Sequence, residues 1–424
     1  MIKLSASPLL RNLMAVASGT AAGQVVVLAF SPLITRIYSP EAFGLQGVFL
    51  ALLSILSPLI ALRYPMAIVV AANERAARNL ARLAAMIAFG FSLLFGLALL
   101  LAREPMLVLL GAQSLGALIL FLPLALFCTA LLDITGFQAA RLGHFRLVGI
   151  VSVVQAFVTN LARVLGGLVT PVAGTLVAIT STAPLLQAGL LAIGNRHETR
   201  GADRLTRREA MALLRKHRDF PLFRAPTDVL SAVAQTVPVI LLAALFSPAA
   251  AGLYTLARSV VNVPLNVVGG AVGDVYYTRF STMARAGSPL YPLVLRATLS
   301  HLLLLGLPVL LAALLFPALF ALAFGEAWRT AGEYAGWMTL WIVGMLANIP
   351  TVRVLPVIGR QDMHLVFNAV IAAAGIATIL AARQSDDSAA TAVAWYSVAT
   401  AIFYGLQIVT YLALTRHHDR RTAR

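Results

Sequence analysis

Twelve long apolar runs divide the chain. Six fall in the first half, at 13–36, 45–71, 80–102, 115–138, 147–169 and 173–194, and six in the second, at 221–246, 251–277, 292–316, 332–352, 364–383 and 389–415. Each is close to the roughly 20 residues that a helix needs to cross the hydrocarbon core. The runs are continuous and about twice the ~10-residue alternating segments of a membrane β-barrel. The pattern predicts an all-α polytopic membrane protein with two six-helix lobes, 1–194 and 221–424. Residues 195–220 form the one long charged connection, GNRHETRGADRLTRREAMALLRKHRDF when read from Gly194. Within it, Ala210-Met211-Ala212-Leu213-Leu214 and its flanking arginines predict a short amphipathic helix at the membrane surface.

Composition removes the soluble classes. Hydrophobic residues make up 60% of the chain and charged ones 11%, where soluble domains carry about 25% charged residues. The mean hydropathy is +0.88. The net charge of +16 is a topology signal. With the N-terminus placed inside, 23 Lys and Arg fall in inner loops and tails against 4 in outer loops, the bias that orients membrane helices with both termini cytoplasmic. Nucleic acid is not an expected partner, because no basic surface is interleaved with aromatics for base stacking. The first run is too long for the core of a signal peptide and reads as an uncleaved first helix. Cys128, the one cysteine, lies in an apolar run and leaves no Cys-based metal cluster. No P-loop, H-E-x-x-H or G-x-S-x-G motif occurs. A transporter is therefore expected rather than an enzyme.

The halves echo one another. Tyr38-Ser39-Pro40-Glu41-Ala42-Phe43-Gly44-Leu45 matches Phe246-Ser247-Pro248-Ala249-Ala250-Ala251-Gly252-Leu253 at an offset of 208, each between the first and second helix of its half. Six helices per half make this a parallel pseudo-two-fold repeat, which predicts a central cavity.

These motifs carry a resemblance. Ala17-Ser18-Gly19-Thr20, Ser31-Pro32-Leu33-Ile34-Thr35-Arg36-Ile37-Tyr38-Ser39-Pro40, Leu62-Arg63-Tyr64, Phe220-Pro221-Leu222, Gly252-Leu253-Tyr254, Arg258 with Pro264, and Phe324-Gly325-Glu326-Ala327-Trp328-Arg329 stand in the order seen in bacterial polysaccharide flippases. The chain resembles these O-antigen and exopolysaccharide translocases of the multidrug/oligosaccharidyl-lipid/polysaccharide exporter superfamily. The resemblance implies transfer of an undecaprenyl-pyrophosphate-linked oligosaccharide from the cytoplasmic to the periplasmic leaflet of a bacterial inner membrane, by alternating access around a cationic cavity. It implies the lipid-linked oligosaccharide and membrane lipids as partners, with a glycan polymerase and chain-length proteins nearby. The rivals are a multidrug or small-molecule exporter, a peptidoglycan-precursor flippase, and an O-antigen polymerase or ligase, which would need a larger outer loop.

Ionisable groups at membrane depth point to the site, since a charge at the bilayer centre costs about 2.5–3.5 kcal/mol on insertion scales. Arg63 in the second run is either a cavity cation for the pyrophosphate or part of an ion pair within the lobe. Arg258 in the eighth is either its counterpart or a snorkelling side chain. Arginine's planar fork suits bidentate phosphate contact. Asp228 is read either as a local partner of Arg224, four residues earlier, or as a cross-lobe partner of Arg63 that closes an inner gate and releases it when the headgroup arrives. Asn262 is a candidate sugar contact. Asp133, Asn160 and Arg163 are read as one network, which either holds the lobe together or couples transport to a proton or sodium gradient. The membrane potential is a further source of drive. Asp274 is expected to pair with basic groups near the inner surface. No cofactor and no metal are expected.

Overall fold

The computed structural model describes residues 8–199 and 205–422, leaving out the side chains of 8–18, 20, 197–199, 264, 266–272 and 274. No strand occurs among the described residues. Among the described residues, ten helical stretches are long and apolar enough to cross a membrane. The first run forms a shorter apolar helix over Ala21–Ile37, and the eighth predicted run forms two helical pieces, Pro248–Val261 and Val263–Arg285. The protein is a multi-pass membrane protein. Leu100, Val169 and Leu314 are more than two-thirds exposed. Such a surface is stable only where lipid covers it.

The chain forms two compact units, Met1–Ile240 and Leu241–Arg424. The first contains α1 (Pro8–Ile37), α2 (Pro40–Ile60), the short α3 (Tyr64–Ala67), α4 (Glu74–Leu101), α5 (Arg103–Leu109), α6 (Leu122–Leu142), α7 (Phe145–Val169), α8 (Ala173–Thr199), the linker helix α9 (Arg207–Lys216) and most of α10 (Ala225–Leu245). The compact boundary thus lies within the seventh span, one span beyond the 195–220 connection. Two contacts tie the start of that span to the first unit. The π-turn Phe220–Arg224 packs on α3, and Asp228 pairs with Arg63. Within the unit, α1 lies along α7, while α6 and α8 pack together with α2 against both. The α1–α7 crossing is close because Gly19 faces Gly149. A Cβ at Gly19 would stand 2.4 Å from Gly149 Cα, the backbone approach that small residues permit in membranes. Gly19→Leu is expected to destabilise the protein by about 1–3 kcal/mol, as overpacking does. A lowered melting temperature in detergent would report it, and an unchanged one would show that the helices part cheaply.

The second unit contains α11 (Pro248–Val261), α12 (Val263–Arg285), α13 (Tyr291–His301), α14 (Leu307–Ala312), α15 (Phe316–Phe324), α16 (Arg329–Val354), α17 (Gln361–Gln384) and α18 (Ala389–Thr422). The largely buried α16 is its centre and packs on α11, α12, α13, α15 and α18. His301 is a hydrogen-bonded packing residue, facing Tyr276 Oη at 3.2 Å and the Leu346 carbonyl at 3.0 Å.

The repeated Ser-Pro motif has the same local job in both units. Ser39 Oγ accepts the Ala42 N–H at 3.4 Å, and Ser247 Oγ accepts the Ala250 N–H at 3.1 Å. Each serine caps a helix N-terminus, and the following proline occupies a first-turn position where no N–H is required.

The linker helix is amphipathic as expected, and it is docked. Thr206 and Glu209 form a reciprocal capping box at its start. Leu213 and Leu214 pack on a cluster that includes Tyr64, Ile68, Leu80 and Ile134. Glu209 accepts from Arg75 at 2.8 Å. Burial, with Lys216 beside it, holds His217 at the end of this helix below the ordinary imidazole range.

Candidate functional site

The second span does not run unbroken over 45–71. It stops at Ile60, and Leu62 and Arg63 adopt left-handed backbone with φ of 50° and 56°. For side-chain-bearing residues that conformation costs roughly 1–2 kcal/mol each. Pro65, in the first turn of α3, lacks the N–H that a continuous helix would use. The result is a break in the second span, with Arg63 at its corner.

The break brings four charged residues together. Arg63 Nε lies 2.8 Å from Asp228 Oδ2, and Arg63 Nη1 lies 3.4 Å from Asp133 Oδ2. Arg224 Nε lies 3.3 Å from the same Asp228 oxygen, one helical turn away. Two cations and two carboxylates therefore balance. Arg63 retains 22% of its side-chain exposure, Asp228 16% and Asp133 33%. Asp228 pairs locally with Arg224 and at long range with Arg63, and both pairs lie within the first unit. Arg63 is not the unpaired cation expected of a cationic cavity. Its guanidinium is already ion-paired with two carboxylates, and its buried Nε makes no hydrogen bond among the described residues.

Asp133 corrects a second expectation. It does not join Arg163, because α6 packs on α2 and α3 and presents Asp133 to the break. Arg163 sits in a separate polar knot. Its Nη1 donates to Asn160 Oδ1 at 3.4 Å and its Nη2 to Thr180 Oγ1 at 3.3 Å, while Thr180 also accepts from Gln46 Nε2 at 2.7 Å. The Tyr38 hydroxyl donates to the Arg163 carbonyl at 2.9 Å. This knot holds α2, α7 and α8 together and contains no carboxylate among the described residues.

One arginine of the site gave no sign of its role in the sequence. Arg141, which reads as a basic loop residue, reaches back to the segment after the break. Its Nη1 donates to the carbonyls of Ile68, Val69 and Ala71 at 3.0, 3.2 and 2.9 Å. Its Nε and Nη2 donate to Glu74 Oε1 at 3.0 and 2.8 Å. Carbonyls at a helix break, where the regular N–H ladder stops, thereby gain a donor. Tyr64 adds a tie to the linker helix, its hydroxyl donating to the Leu214 carbonyl at 3.4 Å.

The second unit has its own break. The span expected over 251–277 is divided at Asn262, which ends α11 and precedes α12, whose first turn contains a proline. Asn262 N–H donates to the Arg258 carbonyl at 3.1 Å. Arg258 thus stands one turn before a break, as Arg63 stands at one. It is half-buried, one turn from Tyr254, whose ring meets that of Tyr396 edge-on at 6.3 Å. The side chain of Asp274 lies outside the described residues.

The comparisons with known proteins agree with this architecture. The family model described as polysaccharide biosynthesis protein matches residues 33–333. No curated protein sequence matches the chain. Among solved structures, a lipid II flippase MurJ in an inward closed conformation aligns with a TM-score of 0.68 and 10% identity, over 96% of this chain and 90% of its own. An inward-facing multidrug resistance MATE family transporter of the MOP superfamily aligns with a TM-score of 0.72 and 11% identity, over 94% and 95%. A MOP superfamily transporter from Pyrococcus furiosus, described as having a binding pocket of reverse polarity, gives 0.59 and 12%, over 97% and 96%. The likeness to the solved structures is one of fold, and the family match covers most of the sequence. The chain belongs to the polysaccharide biosynthesis protein family and has the fold of the MOP superfamily.

Proposed function

We propose that the protein is a flippase that moves an undecaprenyl-pyrophosphate-linked oligosaccharide from the cytoplasmic to the periplasmic leaflet of a bacterial inner membrane by alternating access, for O-antigen or exopolysaccharide synthesis. Both termini are cytoplasmic in this reading, and a glycan polymerase and chain-length proteins act on what it delivers. The observation that carries it is Arg63 at the break of a membrane helix, in a chain of a polysaccharide biosynthesis family. Its guanidinium is shared between two carboxylates and still partly open.

The geometry suits exchange of one anion for another. A pyrophosphate competes with Asp228 for the guanidinium fork, which binds phosphate as well as carboxylate. Asp228 is not stranded when Arg63 turns away, because Arg224 stays 3.3 Å from it. Asp133 loses the cation it is paired with and becomes the group on which a coupling proton or sodium ion would act, with the membrane potential as the other source of drive. Arg258, beside the second break, is the next phosphate contact, and Asn262 is a sugar contact.

The test is made in cells whose surface glycan depends on this chain. Deleting it is expected to leave lipid-linked oligosaccharide on the cytoplasmic leaflet and to remove surface glycan. Unchanged glycan with altered accumulation of small organic ions would make the protein a small-molecule exporter. Oligosaccharide that still reaches the outer leaflet but is no longer polymerised or ligated would make it a polymerase or ligase.

A further inference from the structure

A groove on the second unit holds a cation that no described acidic side chain pairs with. About 550 Å³ in volume, it runs along one face of α13 and the π-turn Leu302–Gly306 that follows. Pro292, Leu295, Leu299, Leu303 and Leu304 line it, and Arg296 is the one charged residue of its lining. No acidic side chain among the described residues lies within ion-pair distance of Arg296, which is exposed.

The depth of Arg296 follows from its neighbours. Asp419 fixes the start of α13, its two carboxylate oxygens accepting the Leu290 and Tyr291 N–H groups at 3.0 and 2.8 Å. The Arg416 guanidinium lies 5.7 Å from the centroid of the Tyr291 ring. Arg416 is 27 residues beyond Ala389, the start of α18. At 1.5 Å per residue that is about 40 Å, more than the roughly 30 Å hydrocarbon core. Tyr291 therefore stands at headgroup level, and Arg296, about 7 Å deeper along α13, stands where headgroups meet acyl chains. From Pro292 to Leu304 the groove is about 18 Å long, close to the depth of one leaflet.

We propose that this groove binds an anionic phospholipid of the leaflet at the basic end of the unit. The phosphate contacts Arg296, and one acyl chain lies along Leu295, Leu299 and Leu303. The single-leaflet length fits a phospholipid better than a long polyprenyl chain. Arg296, with Arg416 against Tyr291 at the start of the groove, favours a net negative headgroup over a zwitterion whose ammonium these arginines repel. This site does not depend on what the protein transports.

The probe is the purified full chain in nanodiscs of equal phosphatidylglycerol and phosphatidylethanolamine, released into native mass spectrometry. The wild type is expected to retain phosphatidylglycerol in excess of its share. Arg296→Gln is expected to lower that adduct about tenfold, the effect of one charge-assisted contact, and to leave phosphatidylethanolamine unchanged. Arg296→Lys should retain most of it. Leu299→Trp, which fills the groove and keeps the arginine, should lower it as well. This variant carries the test if Arg296→Gln does not fold. Equal retention of the two lipids by the wild type would overturn the proposal, as would undiminished phosphatidylglycerol in Arg296→Gln or Leu299→Trp. A polyprenyl-linked molecule as the retained species would overturn it too.

Discussion

Arg63→Ala is expected to lower glycan export about 100-fold and to lower the melting temperature of the purified protein. Adding Asp133→Asn should recover part of the melting temperature and none of the export. The single substitution leaves Asp133 without its cation, whereas Asp228 retains Arg224. Breaking a buried pair by removing one partner costs about 3–5 kcal/mol, and the partial exposure here places the expected loss near the lower figure. Asparagine at 133 removes the stranded charge, so that part of the loss is recovered. Export follows a different rule, because two charge-assisted hydrogen bonds to a phosphate, at about 1.5 kcal/mol each, together amount to about 100-fold. Arg63→Lys keeps the charge without the planar fork and should fall between. If the double variant exports as well as the wild type, Arg63 is a structural residue and the phosphate reading fails.

Much of the architecture was legible because the membrane imposes simple lengths. A run of about 20 apolar residues has one cheap solution in lipid, a helix that satisfies its own backbone. Most span limits accordingly stood within a few residues of the helices found. The Ser-Pro echo was legible for the same local reason, since capping is set by residues three apart. The break at Leu62 and Arg63 was not. Neither residue favours left-handed backbone, and Pro65 signals a bend without saying where the helix stops. The partner of Asp133 was illegible as a consequence. Its distance in sequence from Arg63 is 70 residues, and which arginine it meets depends on where the break puts Arg63. Arg163, equally apolar in its surroundings, donates instead to the Asn160 amide oxygen and the Thr180 hydroxyl.

Strain and charge at the break are linked. Two left-handed residues cost a few kcal/mol together, and such conformations persist only where the surrounding structure over-determines them. Here the support comes from three directions. Asp133 and Asp228 hold the Arg63 side chain, the linker helix holds Tyr64, and Arg141 holds the backbone beyond. Removing any one of the three lets the corner relax toward ordinary helix, which carries the Arg63 guanidinium away from its carboxylates.

The most consequential of these supports is Arg141, and its replacement is the second large effect expected. Arg141→Gln should destabilise the protein by about 3 kcal/mol, because a hydrogen bond to a charged group contributes about 1.5–3 kcal/mol and the two hydrogens of Nη1, shared among three backbone carbonyls, are both lost. Glu74→Gln should cost under about 1 kcal/mol, since Glu74 is 55% exposed and an exposed ion pair is screened by water. Arg141→Lys should recover only part of the loss, as a single ammonium cannot reach the carbonyls of Ile68, Val69 and Ala71 and also the Glu74 carboxylate in the way a guanidinium does. Thermal unfolding of the three variants in one detergent gives the order. A Glu74→Gln loss equal to that of Arg141→Gln would mean that the ion pair, and not the carbonyl clamp, stabilises the segment. The expected order, with export falling in parallel, would make Arg141 the residue that keeps the Arg63 corner in place.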